Sequence, residues 1–109
     1  MTTVTFRTEA GRIAGLVVQG HSGYAEAGAD LVCAAITSAV RLTEATINDV
    51  LGLRAPVAVR EAEIAFQLPA RLSQEAEHTC QALLAGLMVY FDQLRQEYPE
   101  NLLVLEEEA

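Results

Sequence analysis

"TTVTFRTEAGRIAGLVVQ", residues 2–19, opens the chain with a strict alternation: Val4 and Phe6 fall on one face, and Thr3, Thr5 and Arg7 on the other. That period of two is the mark of a half-buried strand. Gly11 supplies a turn residue after "TEA", and "IAGLVVQ" then reads as the partner strand. The stretch is a hairpin with strands near 2–8 and 12–19, so the sheet begins from an antiparallel ladder.

Beyond the hairpin the period changes. Val32, Ile36, Ala39, Val40, Thr43, Ile47, Val50 and Leu51 recur at spacings of three and four, which makes one apolar stripe on a helix. Asp30 is placed to cap its start and Gly52 to stop it. "APVAVREAEIAFQLP", residues 55–69, reads as a second hairpin, with Val57 and Val59 on one strand and Ile64, Phe66 and Leu68 on the other. Ser73 can cap a second helix whose stripe is Ala76, Cys80, Leu83, Leu84, Leu87, Phe91, Leu94 and Tyr98. Pro99 ends it, because the residue before a proline disfavours helix. "NLLVLEEEA" is expected to give a short final strand and a solvated acidic tail.

The order ββαββαβ predicts an α+β fold: an antiparallel sheet with two helices packed on one face. No repeat, linker or composition break divides residues 1–109, so the whole chain reads as one domain. A sheet covered on one side leaves a face or an edge open, and association of two copies is one way to cover it.

Composition narrows the function classes. The chain is 51% hydrophobic and 20% charged, which suits a folded domain, and it has no Trp, so the core is aliphatic. A formal net charge of −8 speaks against direct nucleic-acid binding, which needs a basic face. It allows a basic protein partner, although solubility alone accounts for such a charge. "MTTVTFRTEA" is not built as a signal peptide, and no run reaches the roughly 18 apolar residues of a membrane span. The expectation is a cytoplasmic protein that does not engage a membrane, with Cys33 and Cys80 as reduced thiols.

Chemistry concentrates in "GHSGYAEAGADLVCAA", residues 20–35. With Asp30 as the cap, Cys33 falls in the first helical turn, where free N–H groups and the helix dipole favour a thiolate. His21, twelve residues earlier, is the one upstream base, and Gly20, Gly23 and Gly28 allow the chain to fold back toward it. Asp30 and Glu26 are the acids near enough to orient an imidazole. The plain alternatives stand beside this: a Cys followed by "AAI" also serves as small core filler, a His after a strand as a loop residue, and glycines as turn residues. Cys80 sits mid-helix on an apolar stripe and reads as buried and inert. His78 and Cys80 are two apart on a helix and cannot converge on one ion, so no metal or other cofactor is expected.

The same stretch resembles the signature of the ribosomal-processing cysteine protease family, which runs Gly-His-x-Gly-x-Ala and then Gly-x-Asp-x-x-Cys-Ala-Ala. Gly20, His21, Gly23, Ala25, Gly28, Asp30, Cys33, Ala34 and Ala35 all match it. The family shares this length and element order. The resemblance implies a homodimeric cysteine endopeptidase that removes the N-terminal extension of a large-subunit ribosomal protein, number twenty-seven in that series, cutting after a hydrophobic, partly aromatic segment. Carried over by position, Cys33 is the nucleophile and His21 the base of a Cys–His dyad. Asp30 takes a supporting role, and Gly20, Gly23 and Gly28 belong to a substrate-binding loop expected to order around peptide. The family tends to have Ser four residues after the nucleophile; here it is Thr37, whose hydroxyl by the ordinary rule bonds back to the helix. The competing reading is a non-catalytic ribosome-assembly or peptide-binding module in which Cys33 only packs.

Overall fold

A computed structural model describes the backbone of residues 1–20 and 27–109 and the side chains of residues 1–20 and 31–109. The elements are β1 (Thr2–Glu9), β2 (Arg12–Gln19), α1 (Ala27–Ala45) with a π-helical extension over Thr46–Val50, β3 (Val57–Arg60), β4 (Glu63–Gln67), α2 (Gln74–Glu97) and β5 (Leu102–Glu108). The predicted ββαββαβ order and the α+β class hold. Ser73 caps α2 as expected, its side chain accepting from the Ala76 N–H at 3.1 Å.

The strands form one five-stranded sheet in the order β3-β4-β2-β1-β5. It is mixed rather than purely antiparallel, because β5 runs parallel to β1 while the other pairs are antiparallel. The reason lies in the connections. A helix that returns along a sheet face delivers the next strand in the direction of the one before it. So α1 makes β3 parallel to β2, and α2 makes β5 parallel to β4. Because β4 and β1 share a direction on either side of β2, β5 meets β1 in parallel.

Paired residues share a face, so register defines the core. Val4 opposite Val18, Phe6 opposite Leu16, and Ile64 and Phe66 of β4 opposite Val18 and Leu16 form one buried surface. Val32, Ile36, Val40 and Ile47 from α1 and Cys80, Leu84, Leu87, Phe91 and Leu94 from α2 close it. The opposite face, with Thr3, Thr5, Val17, Leu103 and Leu105, carries no element of the described chain.

Two local readings change. Val50 was expected on the α1 stripe but is 76% exposed, while Leu51 packs on the core. The Leu51 N–H bonds to the Thr46 carbonyl, five residues back, and that extra residue in the turn rotates Val50 out and Leu51 in. The acidic tail is solvated as expected, but the final strand is longer: the exposed Glu106, Glu107 and Glu108 continue β5 opposite Phe6, Arg7 and Thr8. Ladder bonds involve only the backbone, so exposed glutamates extend the strand for as long as β1 offers an edge.

Candidate active site

β2 carries the chain to Gly20, where the position demands glycine twice over. Its φ is +86°, and a Cβ there would lie 2.6 Å from the Met1 carbonyl oxygen. The Gly20 N–H donates to the Ala62 carbonyl at 3.0 Å, so the end of β2 is tied to the β3–β4 turn. His21 and Gly23 lie outside the described residues, as does the side chain of Asp30. The backbone of Gly28 belongs to the first turn of α1.

The helix begins at Ala27, three residues before the expected cap at Asp30. Alanines at 27 and 29 favour helix, and the first turn tolerates Gly28. Asp30 is therefore inside α1, and Cys33 is its seventh residue. An amide at that position is already within the i→i−4 ladder, and the dipole effect fades after the first turn. Cys33 therefore draws no stabilisation of a thiolate from the helix start.

Exposure and direction distinguish the two thiols instead. Cys33 is half-buried, whereas Cys80 is fully buried. Burial pushes the Cys80 thiol up, with a further push from Glu77 and an opposing pull from Arg12. A buried thiol held neutral is a poor nucleophile.

At 100° per residue, Cys33 and Thr37 lie on the same flank of α1, beside the Val32–Ile36–Val40 stripe and away from the Ala35 and Ala39 flank. That flank borders a groove of about 350 Å³ lined by Thr37, Val40, Arg41 and Glu44 of α1 and by Val57, Val59 and Ile64 of the second hairpin. Thr43, Thr46 and Thr79 each donate to the carbonyl four residues earlier, at 2.9, 2.8 and 3.1 Å. Thr37 itself lines the groove. The groove itself was not foreseen, because Val57 and Val59 read from sequence as ordinary strand alternation.

Among the described residues, no three His, Cys, Asp or Glu side chains cluster as a metal site would require. No described helix is long and apolar enough to cross a membrane.

Known proteins place this arrangement. A family model described as cysteine protease Prp matches residues 1–103. The chain is 31% identical over 87 residues to the ribosomal processing cysteine protease Prp of Bacillus subtilis, covering 78% of each. A crystal structure from Streptococcus mutans superposes with a TM-score of 0.86 at 17% identity, over 100% of this chain and 96% of that one. The essential ribosomal processing protease Prp from S. aureus, solved with a substrate peptide, gives a TM-score of 0.79 at 19% identity, covering 98% of this chain and 100% of that one. At such identities the structural likenesses speak for the fold. The match over residues 1–103 spans β1 to the start of β5 and takes in the whole of residues 20–35, and the chain belongs to the cysteine protease Prp family, as a cysteine peptidase.

Proposed function

We propose that this chain is the endopeptidase that removes the N-terminal extension of a large-subunit ribosomal protein, protein twenty-seven of that series, with Cys33 as nucleophile and His21 as base. The observation that carries this reading is the family match across residues 1–103, which contains every signature residue from Gly20 to Ala35. The B. subtilis and S. aureus relatives, both named ribosomal processing proteases, support the substrate class.

The chemistry uses no group beyond the chain and water. His21 takes the Cys33 proton, and the thiolate forms a C–S bond to the scissile carbonyl carbon. The carbonyl electrons move to oxygen, and backbone N–H groups of the glycine-rich segment are the donors proposed to hold that oxyanion. As the C–N bond breaks, His21 returns its proton to the leaving amine. Water, deprotonated by His21, then attacks the thioester and frees Cys33. Asp30 supports the imidazole. The enzyme works in the cytoplasm, where ribosomes are assembled, and as a homodimer.

The test incubates the purified chain with the extended ribosomal protein and follows its N-terminus by mass spectrometry. The parent releases the extension, and Cys33→Ala and His21→Ala each lower the rate by about 10³-fold or more. Variants that cleave as fast as the parent overturn the dyad. Binding without cleavage by the parent favours the peptide-binding module instead.

A further inference from the structure

We infer that the bare face of the sheet carries a second binding site, a pocket around Arg7 that takes the carboxylate of a small organic acid. The helices pack on the other face of the sheet, so the inference is independent of Cys33 and of the peptidase chemistry.

The pocket follows from which residues the register sets side by side. One row across the bare face runs from Glu107 on β5 through Arg7 on β1 and Gly15 on β2 to Gln67 on β4. Gly15 has no side chain, so none stands between Arg7 and Gln67. The next row, Thr5, Val17, Ala65 and Ala58, is built of short side chains at its β4 and β3 end. A long side chain beside a gap and two alanines leaves a hollow of about 320 Å³. Arg7, Thr5 and Gln67 border an apolar floor of Val17, Ala58 and Ala65.

Arg7 decides what the hollow can hold. Its Nε is buried and has no hydrogen-bond partner, the one such side-chain atom among the described residues. Glu107 lies beside it in the register, yet the ion pairs among the described residues are Arg12–Glu77 and Arg95–Asp92. A guanidinium presents its donors as a planar fork, and the two oxygens of a carboxylate match that fork. A buried donor without an acceptor is costly, so an incoming carboxylate gains from the bond it supplies as well as from its charge. The Thr5 hydroxyl and the Gln67 amide are further donors in the lining.

Two features narrow the class. Glu107 also lines the hollow and repels added negative charge, which favours a monoanion over a phosphate dianion. The floor is apolar and the volume lies at the small end for ligand pockets, so the acid carries a compact apolar body.

The test titrates isotope-labelled protein with benzoate and follows the Arg7 Nε–H resonance by NMR. The resonance shifts saturably, with a Kd of about 1 mM. In variants the backbone amides of Val17 and Ala65 report instead. Arg7→Gln weakens binding about ten-fold or more, and Arg7→Lys, which keeps the charge without the fork, about three-fold or more. Glu107→Gln tightens it about three-fold. Arg71→Gln, the same change at an exposed site between β4 and α2, leaves it unchanged. Benzyl alcohol and inorganic phosphate each bind about ten-fold more weakly than benzoate. An Nε–H resonance that does not move at about 30 mM benzoate overturns the site. So does phosphate or benzyl alcohol binding as tightly as benzoate, or an equal loss in Arg7→Gln and Arg71→Gln. A parent dimer that Arg7→Gln dissociates in light scattering overturns it too, since the acceptor for Arg7 is then a second copy. If Arg7→Gln does not fold, Glu107→Gln decides: an affinity that does not rise means that the anion sits elsewhere.

Discussion

Gly20 stands immediately before His21 and shows how tightly one residue can hold the entry to the site. Its left-handed φ costs a side-chain-bearing residue about 1–2 kcal/mol. The Met1 carbonyl adds a contact, 2.6 Å from where a Cβ would sit, that only a backbone shift relieves. Gly11 offers the matched comparison, with φ +79° and nothing within 4 Å. Gly20→Ala is expected to cost about 2 kcal/mol more than Gly11→Ala in urea unfolding, and to slow cleavage because the backbone leading into His21 moves. Equal costs for the two would show that the close approach relaxes freely. The necessity of glycine at position 20 was legible as a motif match, but its cause was not, since Met1 is nineteen residues away.

Elements are joined here by side chains that clamp foreign backbone. The β1–β2 register shifts between Arg7 and Thr8, leaving Ala14 as an extra residue on β2. Gln81 of α2 meets the strand at that bulge: its carbonyl accepts from the Ile13 N–H at 2.8 Å, and its amide donates to the Ile13 carbonyl at 2.9 Å. Asn48, in the π-helical turn, grips Ala55 in the same way, at 2.6 and 3.0 Å. Gln81→Leu leaves two partly buried backbone groups unpaired, and a loss of about 2–4 kcal/mol in chemical denaturation is expected. A loss below about 0.5 kcal/mol would mean that water reaches the bulge. The extent of α2 was readable from periodicity, including the Ser73 cap and the stop at Tyr98. Gln81 was not, because a polar residue beside an apolar stripe looks like any solvated position.

Among the described residues, the sheet has one covered face and one bare one. Leu103 and Leu105 are 40% and 43% exposed on the bare face of β5. At the same edge, Val89 is 58% exposed on α2 and lines a groove with Met88, Val104 and Leu105. Asp92, Gln93, Gln96 and Glu106 line the same groove, so the edge is an apolar strip with a polar rim, a composition that suits association of copies. Light scattering of the purified chain is expected to give twice the 11.7 kDa of one chain, and Leu105→Glu to shift it toward the monomer. A monomeric parent at micromolar concentration would remove the homodimer from the proposal.

The sequence by itself determined the seven elements, the two apolar stripes, the burial of Cys80 and the signature from Gly20 to Ala35. These are patterns of near neighbours, written by periods of 2 and 3.6 that any reader of the chain can follow. Tertiary structure alone decided the rest. It made the sheet mixed, because a strand's partner is whichever edge the crossover leaves open. It moved the start of α1 to Ala27 and so took Cys33 out of the first turn. It also left Val59 uncovered on the edge strand β3, since how far a helix reaches across a sheet depends on packing between segments distant in the chain.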